Sequence, residues 1–120
     1  MLIFVFSIIA CTSNNEEDYF HVVDCETENL FYKTTSSESI SIKSIIDNKC
    51  AGCHSIDNMA NVQYVTLEEY TSIQEYDIYA AINNSANPMP PLGSSQLTEC
   101  EKLQIETWID NALPYDEKGR

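Results

Sequence analysis

The chain has 120 residues, 43 % of them apolar, which is the scale of one domain with one modest core. Asp and Glu outnumber Lys and Arg 19 to 6, for a formal charge of −13. No face of such a chain can neutralise a row of phosphates, so nucleic acid is excluded as a partner, as is electrostatic adhesion to an anionic membrane. Three glycines and four prolines exclude a fibrous or low-complexity chain, and the chemical information sits mainly in five cysteines.

Residues 1–10 read MLIFVFSIIA, without a charge. The run is too short to span a bilayer at about 1.5 Å per residue, but it suits the apolar region of a secretory signal. Ile8-Ile9-Ala10-Cys11 resembles a bacterial lipobox, in which the cysteine receives lipid and becomes the mature N-terminus; no Lys or Arg precedes the apolar run. On that reading residues 1–10 are a lipoprotein signal peptide, Cys11 is the lipid attachment site, and the protein is held at the cell envelope, facing the periplasm or the cell surface. A plain signal peptide containing a cysteine is the alternative. Residues 11–38 read as an acidic tether: Glu16, Glu17, Asp18, Asp24, Glu26 and Glu28 are unbalanced by any base up to Lys33, and like charges keep such a segment extended.

Residues 39–120 read as the folded domain. The spacing of Ile42, Ile45 and Ile46 predicts a helix over 39–49, capped by Ser39. It runs into Cys50-Ala51-Gly52-Cys53-His54, a C-x-x-C-H motif, the attachment signature for c-type haem. Each thiol can add to one haem vinyl group, the two-residue spacer matches the vinyl separation, and His54 then lies on one ring face as an axial ligand. Gly52 permits close backbone approach. Three other readings compete. A thioredoxin-like redox pair would need a βαβ setting, which the helical isoleucine spacing does not provide. A zinc site could use Cys25, Cys50, Cys53 and Cys100, with only the cysteine count to recommend it. A plain disulfide framework is the third.

Residues 55–65 read as loop. Thr66 with Glu69 forms a capping-box pattern for a short helix over 66–75, and Ile78 with Ile82 marks another over 77–83, with Asp77 near its start. The segment 83–93 contains Asn87-Pro88-Met89-Pro90-Pro91-Leu92-Gly93. Its prolines fix φ and remove backbone donors, so it stays a stiff extended loop, the setting a permanent thioether ligand needs. Met89 stands 35 residues beyond His54, far enough to reach the opposite ring face. Met59 is too close to His54 for that, and His21 precedes the domain; a methionine packed in a proline-rich turn is the bland alternative for Met89. Thr98 and Glu101 make a second capping box, opening a helix whose buried stripe is Ile105, Trp108, Ile109 and Ala112 and which Pro114 stops. Tyr64, Tyr70, Tyr76 and Tyr79 flank the pocket in sequence; one as a propionate partner and all as core-edge residues are equally open readings.

The stretch 40–114 resembles class I cytochrome c domains, in particular the short mono-haem lipoprotein type of Bacteroidota. The matched elements are the isoleucine helix running into Cys50–His54, then Leu67-Glu68-Glu69-Tyr70, Ala81-Ile82, Met89-Pro90, Leu97-Thr98-Glu99-Cys100 and Trp108-Ile109. The resemblance implies an all-α fold around one covalent haem c, held by Cys50, Cys53, His54 and Met89, with the first helix crossing the last through Ile42 and Ile46 against Trp108 and Ile109. It also implies a Cys25–Cys100 disulfide. Many members orient the haem histidine with a proline carbonyl, and no proline occurs in 55–64, so the partner of His54 is unidentified at this stage. The implied function is electron transfer, not catalysis. The implied partners are an oxidase, a reductase or another cytochrome bearing a basic docking patch. A haem-based sensor with a labile Met89 and a zinc-stapled structural lipoprotein are the alternatives.

Overall fold

The computed structural model describes residues 24–61 and 65–120, without the side chains of 59–61. The signal segment, Cys11, His21 and Tyr64, and the side chain of Met59, lie outside the described residues. Within them the order is β1 (Leu30–Phe31), β2 (Ile40–Ser41), α1 (Ile42–Lys49), a 3-10 helix (Ile56–Asn61), α2 (Tyr70–Glu75), α3 (Ile78–Ile82) and α4 (Glu99–Asp110). The two short strands pair in parallel, Leu30 opposite Ile40. No described helix is long and apolar enough to cross a membrane.

Helix α1 starts three residues later than its isoleucine pattern suggests. Residues 40–41 are drawn into the pairing with β1, so the cap is Ser41, whose hydroxyl accepts the Ser44 N–H at 3.3 Å. Ile42, Ile45 and Ile46 are buried, as their spacing requires. The 66–75 helix is shortened from its N-terminal end to Tyr70–Glu75, and its capping box does not form. The reason is competition for the preceding chain: Leu67 N–H donates to the His54 carbonyl at 2.8 Å, tying the chain ahead of α2 to the Cys50–His54 turn. The Glu68 carboxylate meanwhile accepts from Ile56 N–H at 2.7 Å, on the 3-10 helix where a loop is expected. Helix α3 keeps its Asp77 cap, accepting from Ala80 N–H at 2.9 Å.

Helix α4 opens on the Thr98–Glu101 capping box, with bonds of 3.1 and 2.8 Å in the two directions. It ends before Pro114 can act. Ala112 and Leu113 take left-handed conformations, φ 64° and 57°, and so turn the chain. Once the helical period ends at Asp110, Ala112 leaves the stripe and is exposed, while Ile109 is only half-buried. Gln104 takes the inward position, its amide donating to the Glu26 carbonyl at 2.8 Å. Pro114 instead supplies a carbonyl that receives the Trp108 indole N–H at 3.0 Å and Tyr32 N–H at 2.9 Å.

Helix α4 packs against α1, α3 and β1, and Ile42, Ile46, Ile73, Ile105 and Trp108 are the most deeply buried side chains. The folded body begins upstream of residue 39: Leu30 and Tyr32 are 3 % and 4 % exposed and belong to the core. Tyr32 packs with Tyr70 and Tyr115 at ring separations of 5.0 and 5.7 Å. The acidic run masks this, because hydrophobic anchors there are isolated residues and not a periodic stripe. A disulfide between Cys25 and Cys100 fastens the same segment to the first turn of α4.

Candidate functional site

Helix α1 ends by delivering Cys50 into a tight turn. Cys50 and Ala51 N–H both donate to the Ile46 carbonyl, at 2.8 and 2.9 Å, and Cys53 and His54 N–H both donate back to the Cys50 carbonyl, at 3.1 and 3.0 Å. The motif is therefore one hydrogen-bonded turn continuing from the helix, with both thiols and the imidazole fixed to the same short piece of backbone. Cys50 is half-buried and Cys53 exposed, and neither is bonded to another cysteine. Burial pushes the Cys50 thiol up to about 11, so it is neutral at physiological pH.

His54 is oriented by a main-chain acceptor. Its Nδ1 lies 2.9 Å from the Val65 carbonyl oxygen. A carbonyl only accepts, so Nδ1 carries the proton and Nε2 the ring's lone pair. This is the partner that the missing proline leaves undetermined in sequence. Any residue offers a carbonyl, so no side-chain signature marks Val65; the chain's return past His54, through the Leu67 N–H bond, puts it there.

Met89 comes from the other side. Its N–H donates to the Ala81 carbonyl at 3.1 Å, hanging the proline-rich loop on the end of α3. Cys50, Cys53, His54 and Met89 all line one cleft of about 280 Å³. Leu67, Ile78, Ile82 and Pro90 give it apolar walls. Gly52 is on the same wall, and a Cβ there would meet no atom within 4 Å. The protein's own packing therefore does not call for a glycine at that position.

Cys25 and Cys100 lie elsewhere. They line a separate surface groove of about 400 Å³ beside Tyr79, Asn83, Leu103 and Glu106. The structure thus divides the four cysteines two and two, and among the described residues no three His, Cys, Asp or Glu side chains are grouped to hold a metal. Of the tyrosines, Tyr76 reaches the cleft wall, Tyr79 faces the second groove, and Tyr70 donates its hydroxyl to the Leu113 carbonyl at 2.5 Å. Comparison with known proteins finds no matching family model, curated protein or solved structure.

Proposed function

We propose that the chain is a mono-haem c-type cytochrome, a helical domain built around one covalent haem, that carries single electrons between redox proteins at the cell envelope. The observation that carries this reading is the convergence of Cys50, Cys53, His54 and Met89 on one cleft, from segments 35 residues apart in the chain.

The residues present fit such a group. Two thiols on one turn suit two thioether bonds, the basic Nε2 of His54 and the Met89 sulfur suit iron, and the apolar walls and the space at Gly52 suit the faces of a macrocycle. Axial ligation by one imidazole and one thioether needs no cluster of acids or further histidines. When bound, the haem supplies an iron that changes charge by one electron.

The chain's own residues determine what that change is used for. Cys50 and Cys53 retain the group permanently. The Val65 carbonyl fixes the proton of His54 on Nδ1, which raises the basicity of Nε2. With a haem bound, the soft Met89 sulfur would favour the ferrous state and raise the potential, and the apolar walls would add to this by disfavouring the more highly charged ferric form. Were His54 and Met89 both to ligate the iron, no coordination site would be left for a substrate, and the residues' task would be holding, tuning and docking. A charge of −13 steers association toward a basic patch on an oxidase, a reductase or another cytochrome, in brief and salt-sensitive encounters. Lipid on Cys11 would keep the domain at the membrane where such partners sit.

Carbon monoxide tests the assignment of Met89. The reduced wild-type protein keeps its low-spin spectrum under carbon monoxide, whereas Met89→Ala takes up the gas and its potential falls by on the order of 0.1 V. Rapid uptake by the wild type would favour a sensor, and an unaltered spectrum and potential in Met89→Ala would remove that residue from the site.

A further inference from the structure

The loop that carries Met89 is poor in donors. Pro88, Pro90 and Pro91 have no N–H; Ser94 serves the Pro91 carbonyl through its N–H at 3.1 Å and its hydroxyl at 2.7 Å, while the Pro90 carbonyl is met by a side chain. A side chain six positions downstream supplies the donor. The Gln96 amide nitrogen lies 3.2 Å from the Pro90 carbonyl oxygen, 2.8 Å from that of Pro91 and 3.2 Å from that of Ser94. Gln96 is itself held by the residue that precedes Cys50. Lys49 Nζ donates to the Gln96 carbonyl at 2.8 Å and to the Ser95 hydroxyl at 3.1 Å, and it lies 3.5 Å from Glu101 Oε2. Two of the ammonium's three donors are used in these hydrogen bonds, and the Glu101 carboxylate pairs with its charge. Glu101 is fixed in turn by the capping box of α4. The Lys49 side chain is only 16 % exposed although it carries a charge, so its position is specified by these partners.

These contacts form a continuous brace, from the last residue of α1 through Gln96 to the two residues that follow Met89. We infer that Lys49 and Gln96 are positioning residues that clamp the Met89 loop across the cleft from the Cys50–His54 turn, and so set how tightly the sulfur is held on the iron. The inference rests on the haem reading. Neither residue touches the iron. Each acts by making an outward swing of Met89 break hydrogen bonds, above all the one that Gln96 donates to the Pro90 carbonyl next to Met89. The local geometry alone gives the glutamine a function, because it is exposed and contributes nothing to the core.

Exogenous imidazole reads the strength of the clamp directly. Above its own pKa it is uncharged, so there removing a lysine does not change its attraction to the site, and it binds ferric iron only when the sulfur lets go. Gln96→Leu removes both amide donors and raises imidazole affinity about tenfold, the value of one or two net hydrogen bonds. Lys49→Met acts from the other end of the brace and raises it in the same direction. Lys49→Arg, which keeps the charge and donors, stays within about twofold of wild type. Melting temperatures are measured alongside. Variants that melt earlier but bind imidazole as the wild type does would show a merely structural role and overturn the inference, while leaving the haem function standing. Wild-type protein with no covalent haem would overturn the functional reading first, and this one with it. Should Gln96→Leu fail to fold, Lys49→Met decides alone.

Discussion

His54 takes its hydrogen-bond partner from a backbone carbonyl, and this limits what residue identities could reveal about the site. Cys50, Cys53 and His54 are legible because the proposed haem attachment would require those side chains at that spacing. Val65 is not, because the group it contributes belongs to every residue, and only the path of the chain selects it. Gln96 was equally hidden: nothing in its type or neighbours marks it out until three carbonyls are seen around its amide. A third such residue closes the far side of the molecule. The Glu117 carboxylate accepts the Thr34 hydroxyl and, at 3.1 and 3.4 Å, the Thr35 and Ser36 N–H groups, tying the C-terminus to the segment before α1. The Thr34 hydrogen bond, with the backbone donors, holds its carboxyl below the usual glutamate range. A group with a folded value below its unfolded one adds stability above the ordinary range and loses it as pH falls through the folded value. Glu117→Gln therefore lowers the melting temperature slightly at neutral pH, and its melting curve merges with that of the wild type in acid. The site is exposed, so the difference is small and shrinks in salt. A difference that persists unchanged into acid would show that the charge contributes nothing.

At the scale of elements, the caps separate what local sequence decides from what it does not. The Thr98–Glu101 box and the Asp77 cap form where their patterns place them, the box closing even though Lys49 also lies against the Glu101 carboxylate. The Thr66–Glu69 box has the same pattern and fails, because the chain around it is recruited to His54 and to the 3-10 helix. Ser39 loses its cap to Ser41 for a similar reason, a strand pair of two residues that no alternation announces. The start of the fold was hidden likewise, since Leu30 and Tyr32 stand singly in an acidic stretch. The disulfide now explains how that stretch is kept in place. It closes a span of 75 residues, so Cys100→Ser lowers stability by about 4 kcal/mol on the chain-entropy argument. A denaturant titration checks this, and a loss under about 1 kcal/mol would mean that the N-terminal segment docks through its core contacts alone. Absorption in the haem bands should change little, because the disulfide lies in a groove apart from the cleft.

For the molecule as a whole, few described side chains are buried and the cleft occupies the space between the turn after α1 and the loop after α3. A small acidic domain of this kind has little apolar area with which to stabilise itself, and a covalent group with two broad apolar faces would contribute much of what is missing. On the proposed reading, the charge of −13 would steer the domain toward a basic docking patch. All of this depends on whether the two free thiols of the turn carry a porphyrin. The direct measurement is the alkaline pyridine spectrum of the purified protein, matured in a host that attaches haem, together with its intact mass after acid-acetone extraction. A mono-haem cytochrome c gives a thioether-type haem absorption that stays with the polypeptide and a mass increase of one haem. Colourless protein, or pigment that extracts into the organic phase and leaves both thiols open to alkylation, would contradict it.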